Sequence, residues 1–180
     1  MRESEKLKID CFRRYMVRLG RREYHPLLKD WWDYFGLTGD GLLMGEPGIK
    51  GQEAKVALME MYPGTRVQTV DLKDADIIWD ITTPSPHSTQ YNWIICQSVI
   101  EHVVDPVSAM KNMVNILLDG GILYVQTPAK GFQYHTHPID CYRFFRDAYM
   151  AWADLTNTTV LDYFEDAHHC CAAYKRNPTT

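Results

Sequence analysis

Apolar residues fall into short runs parted by polar turns, and their spacing shifts along the chain. Over residues 3–19, Leu7, Cys11, Phe12, Tyr15, Met16 and Leu19 recur near helical spacing, which predicts an amphipathic helix ended by Gly20. The aromatic-dense stretch Leu27 to Phe35 predicts a second short helix, and Gly36, Gly39 and Gly41 break the chain after it. Strand and helix signals then alternate. Leu42-Leu43-Met44 predicts a short strand that runs into a glycine-rich loop, Gly45-Glu46-Pro47-Gly48-Ile49-Lys50-Gly51. Residues 52–61 put Ala54, Ala57, Leu58 and Met61 on one helical side, and Pro63-Gly64 marks a turn.

The second half repeats the alternation. Residues 66–70 are β-branched and alternating, and Asp71 follows them; residues 77–79 form another apolar run closed by Asp80. Residues 82–90 are rich in Pro, Ser and Thr and predict a loop. Residues 91–96 carry a continuous apolar stretch, as expected of a strand covered on both faces. Residues 105–118 predict a helix, with Asp105 as cap, Pro106 in the first turn and Asp119-Gly120-Gly121 as the stop. Strand 122–126, a loop to about 144, helix 146–155 and closing strands 159–164 and 169–175 complete the pattern. Short apolar strands alternating with amphipathic helices predict an α/β fold with a mainly parallel central sheet. The boundaries read as an N-terminal helical cap over 1–40 and one compact domain over 41–180. In such sheets ligands bind beyond the carboxyl ends of the strands.

Composition adds limits. The chain has 180 residues, 46% hydrophobic and 23% charged, enough to bury a core without a disulfide or metal staple. Net charge is −4, which argues against nucleic acid as the main partner. Yet residues 1–22 hold eight Lys or Arg against three acids, so Arg13, Arg14, Arg18, Arg21 and Arg22 form either a solvated helix face or a polyanion contact. Five cysteines without a C-x-x-C pair signal neither a disulfide framework nor a zinc site, so no metal ligand is assigned. No apolar run reaches the ~18 residues of a membrane span and no leader pattern appears, so the expected compartment is the cytoplasm.

Two blocks carry a family resemblance. Asn92 to Pro106, with Glu101-His102-Val103-Val104-Asp105-Pro106, resembles the fourth strand and "vLEHv-dP" continuation of the class I S-adenosylmethionine-dependent methyltransferases. Leu117 to Pro128 resembles their "LkpGGxlxxxtP" fifth-strand signature. His135-Thr136-His137-Pro138-Ile139-Asp140-Cys141-Tyr142-Arg143-Phe144 resembles the "HxHPxDyyRF" element of the methyltransferase-11-like subgroup. The resemblance spans roughly residues 41–176 and implies a Rossmann-like methyltransferase fold with a C-terminal antiparallel strand.

It also implies roles. The cofactor would be S-adenosylmethionine. Gly45, Glu46 and Gly48 would form the cofactor loop, because glycine lets backbone approach a ligand closely. Asp71, after the second strand, would accept hydrogen bonds from the ribose hydroxyls. Leu72 would be a further cofactor contact, Asp80 and Ile81 would lie near the adenine, and Gln97 and Ser98 would border the methionine end or the acceptor. His135, His137 and Asp140 form the densest ionisable cluster and are the candidate catalytic residues. For that cluster, loop-locking hydrogen bonds, acceptor handling and metal binding all remain open. His102 is a further candidate base, although Glu101 and His102 open a helix in the family and often serve structure. His168-His169-Cys170-Cys171 lies on a predicted strand, where neighbours face opposite ways and do not converge. Trp31, Trp32, Tyr34 and Phe35 fit either core packing or a lid.

The first motif departs from the family pattern. Leu43 or Met44 stands at the usual acidic position, Glu46 being a possible substitute, and the glycines follow Gly45-x-x-Gly48-x-x-Gly51. The expected function is methyl transfer to an O or N atom of a small molecule or glycan. The alternative is a methyltransferase-like scaffold that has lost catalysis. A third reading has the basic N-terminus dock RNA or another polyanion.

Overall fold

Parallel pairing of Met44 with Val70 aligns the carboxyl ends of two strands, β1 (Gly39–Met44) and β2 (Thr65–Asp71). This is a computed structural model; it describes residues 26–136 and 139–179, so the predicted helix 3–19, the basic cluster and His137 lie outside the described residues. The chain divides into two compact units, Met1–Ile78 and Trp79–Thr180.

In the first unit, helix α1 (Pro26–Phe35) precedes β1, helix α2 (Gly48–Met61) links β1 to β2, and β3 (Ile77–Ile78) pairs parallel with β2. The strand order is β3-β2-β1. Leu42, Leu43 and Met44 of β1 are all buried, as their unbroken apolar run requires. Ala54, Ala57, Leu58 and Met61 form the buried side of α2, as their spacing predicts. Trp31 and Trp32 are buried, so these two aromatics are core packing, while Tyr34 is 83% exposed.

α2 starts four residues before the predicted start at 52, inside the glycine-rich loop. The reason is steric. A Cβ on Gly51 would lie 1.9 Å from the Glu46 carbonyl oxygen and 3.3 Å from Thr69 Cγ2, so only glycine lets the first helical turn close on the loop and on β2.

The second unit contains β4 (Tyr91–Gln97), a 3-10 turn (Ile100–His102), α3 (Pro106–Asn115), β5 (Leu117–Pro128), α4 (Arg146–Thr156), β6 (Thr158–Glu165) and β7 (His169–Arg176). Its order is β4-β5-β7-β6, with β4 and β5 parallel and β7 antiparallel to both β5 and β6. The fold is thus α/β, mainly parallel, with an antiparallel C-terminal end, as expected. Ile94, Ile95, Cys96, Leu123, Val125 and the run Cys170 to Tyr174 are essentially inaccessible and form the core. Buried tyrosine hydroxyls find partners: Tyr149 Oη lies 2.7 Å from Thr127 Oγ1, and Tyr174 Oη donates to the Tyr149 carbonyl at 3.1 Å.

Asp105 caps α3 as predicted, its carboxylate accepting from Ser108 N at 3.0 Å, and Pro106 occupies the first turn. The helix stops earlier than 118, because Leu117 and Leu118 belong to β5. Arg176, from β7, donates to the carbonyls of Val114 (3.2 Å), Asn115 (3.0 Å) and Leu117, ending the helix through a tertiary cap.

Candidate functional site

In the first unit the candidate residues gather at the strand ends. Gly45 leaves β1 with φ 73° and donates from its amide to the Val70 carbonyl at 2.8 Å. Glu46 is buried. Gly48 has φ 62° and donates to the Asp74 carbonyl at 2.6 Å, tying the loop to the β2–β3 connection. Asp71 ends β2, one residue past the Val70 that meets Gly45. Its Oδ1 accepts from the amides of Leu72 (2.7 Å) and Lys73 (3.4 Å), and among the described residues its Oδ2 takes no hydrogen bond. Leu72 beside it is 66% exposed.

Asp76, which the sequence reading passed over, holds this connection in place. Its Oδ2 accepts from Thr69 N (2.9 Å) and Lys55 Nζ (2.8 Å), and its Oδ1 from Gln52 Nε2 (3.3 Å). Burial opposes its ionisation, but the Lys55, Thr69 and Gln52 bonds outweigh it and hold the carboxyl below its ordinary range.

In the second unit Asp80 and Ile81 are separated in role. The Asp80 carboxylate accepts from Thr82 N (3.0 Å) and Oγ1 (2.8 Å) and so closes its own turn. Ile81 is buried, and its carbonyl accepts from Asn112 Nδ2 at 2.9 Å. At the end of β4, Gln97 is buried and opposite Gln126, with their amides 3.5 Å apart. Ser98 follows with φ 52°, a left-handed turn that is costly for a non-glycine residue and re-aims the chain as it leaves the sheet.

The loop after β5 carries the densest chemistry. Asp140 Oδ2 accepts from the His135 amide at 2.8 Å and lies 3.3 Å from His135 Nδ1. Arg143 grips both Asp140 oxygens and also donates to the carbonyls of Gln133 (3.1 Å) and Tyr142 (2.8 Å). The Arg143 bonds hold the Asp140 carboxyl far below the ordinary carboxylate range. The loop docks on the 3-10 turn: Cys141 N donates to the Glu101 carbonyl at 2.8 Å, and His102 Nδ1 contacts the Ile139 carbonyl. That docking brings Glu101 and His102 to His135, with the two imidazole centroids 4.9 Å apart. The "EH" pair signalled a helix opening in the sequence; nothing local announced that it meets His135. His169, Cys170 and Cys171 form no metal-holding group with other ligand types among the described residues.

The methyltransferase-domain family matches residues 29–173. The chain belongs to that family. Membership makes it an S-adenosylmethionine-dependent methyltransferase, with S-adenosylmethionine as cofactor. No curated protein sequence matches it. Among solved structures it is similar to the 1,6-didemethyltoxoflavin-N1-methyltransferase of Burkholderia thailandensis, with TM-score 0.66 and 12% identity over 86% of this chain and 78% of that one. It is also similar to the N-methyltransferase NodS of Bradyrhizobium japonicum, with TM-score 0.61 and 16% identity over 85% and 93%. The [4+2]-cyclase SpnF shares the fold as well, with TM-score 0.65 and 10% identity over 84% and 80%. At these identities the likeness is one of fold, and a fold hosts more than one chemistry. The first unit suits the cofactor: Gly45 brings bare backbone to the end of β1, and the open Oδ2 of Asp71 stands at the end of the paired strand.

Proposed function

We propose that the enzyme transfers the methyl group to an O or N atom of a small molecule or glycan. Gly45, Glu46 and Gly48 cradle the methionine portion of the cofactor, and Asp71 accepts the ribose hydroxyls. Leu72, Asp80 and Ile81 serve the adenine; Gln97 and Ser98 border the methionine end. The bound cofactor supplies an electrophilic methyl on a sulfonium. The protein's contribution is orientation and exclusion of water.

The acceptor side is assigned to the loop after β5. His135 orients the acceptor, Asp140 positions the imidazole, and His137 belongs to the same loop. The observation that carries this reading is the convergence of His135 on Glu101 and His102, just past the carboxyl ends of β4 and β5, where α/β folds bind ligands. That the N1-methyltransferase and NodS neighbours act on nitrogen favours an acceptor of that class.

The test is calorimetric titration with S-adenosylhomocysteine, run beside Asp71→Ala. Micromolar binding that falls at least ~30-fold in the variant is expected, from the loss of two charge-assisted hydrogen bonds. Absence of binding by both proteins would overturn the assignment and leave the scaffold reading.

A further inference from the structure

We propose that Glu101, His102 and His135 form a binding site for a divalent transition-metal ion of the zinc class. The ligand atoms of these residues lie within 4.8 Å of one another. His102 Nε2 is 3.6 Å and His135 Nε2 4.0 Å from the same oxygen, Glu101 Oε1. Both separations are too long for hydrogen bonds. They are close to the spacing of two ligand atoms on one ion.

The outer partners fix the same arrangement. The Ile139 carbonyl can only accept, so His102 carries its proton on Nδ1 and offers a lone pair on Nε2. With an ion on Nε2, the His135 proton stands on Nδ1, 3.3 Å from the ionised Asp140 carboxylate. Arg143 Nη2 contacts the same nitrogen at 3.5 Å and binds Asp140 Oδ2 at 2.7 Å. A carboxylate backing a histidine backing an ion is a recurrent arrangement of zinc sites. The His135 side chain is 31% exposed, which leaves a solvent-side position for water or an oxygen of the acceptor. The ion's binding stands apart from the methyl-transfer reading, and only its use by an acceptor rests on it.

The test uses the full chain, stripped by chelator and titrated with cobalt(II), without cofactor or acceptor, so its failure is distinct from failure of the methyl-transfer reading. We expect one ion per chain, visible absorption of a four-coordinate site, and loss of that absorption with one equivalent of zinc. His102→Ala and His135→Ala should each weaken binding at least ~100-fold. His168→Ala, at a histidine outside the cluster, should bind like wild type. In the unaltered protein, long-range proton–nitrogen NMR should move Nε2 of the two imidazoles on adding zinc, with both Nδ1 protonated in the zinc form. No binding, binding unchanged in both variants, or unmoved Nε2 signals would overturn the proposal.

Discussion

Asp140 and Arg143 face each other as a two-pronged pair, carboxylate against guanidinium, with the Asp140 side chain 1% exposed. Around this clasp the loop after β5 is wound, since Arg143 also takes the carbonyls of Phe132, Gln133 and Tyr142. Arg143→Ala would leave a buried carboxylate uncompensated and should cost about 3 kcal/mol in urea unfolding. The Asp140 carboxyl is depressed, mainly by Arg143, so its contribution is complete above the unfolded value near about 3.9 and is lost as pH falls through the lower folded value. The gap between wild type and Arg143→Ala should therefore narrow as the pH drops towards about 2. A constant gap would show that the clasp is not the source.

Gly48 and Gly51 should respond differently to alanine. At Gly51 the new Cβ meets backbone at 1.9 Å, so Gly51→Ala should cost about 3 kcal/mol and shift α2. At Gly48 the space is open and only the positive φ is strained, so Gly48→Ala should cost about 1–2 kcal/mol. Thermal unfolding of both variants checks this, and equal losses would contradict it.

Arg176→Ala should uncap α3, costing about 2 kcal/mol through its unsatisfied carbonyls. Hydrogen exchange should quicken in the last turn of α3 while α4 keeps its protection. Arg176→Lys should restore only part of the loss, because lysine lacks the planar fork.

Asp76→Asn should loosen the β2–β3 connection by about 1–2 kcal/mol, as it removes the charge that Lys55 and the Thr69 amide bind. Since the Asp76 carboxyl is depressed, this penalty should be full at neutral pH and fade as pH falls below about 4. Denaturation of the variant at both pH values measures it.

The elements themselves were legible along the chain. Residues 91–96 read as a doubly covered strand and became β4; Asp105-Pro106 read as a helix start and became one. Those signals are local: an apolar run, a side chain that bonds an amide three residues on, a ring that fixes φ. The placement of Gly45 and Asp71 at neighbouring strand ends was equally foreseeable, because parallel strands linked by a helix must bring their carboxyl ends to one edge.

Three features were decided only by tertiary structure. The end of α3 depends on Arg176, 61 residues from Asn115, whose carbonyl it caps; the Asp119-Gly120-Gly121 signal misled because strand pairing with β4 claimed Leu117 first. Asp76 looked like one acid among several, until folding set it against Lys55 and Thr69. Glu101 and His102 meet His135 through the docking of a loop more than thirty residues away in sequence. Periodicity and caps act over one or two turns, so sequence determines elements and their order. Convergence of side chains is set by packing among distant segments, whose pairing no local pattern encodes.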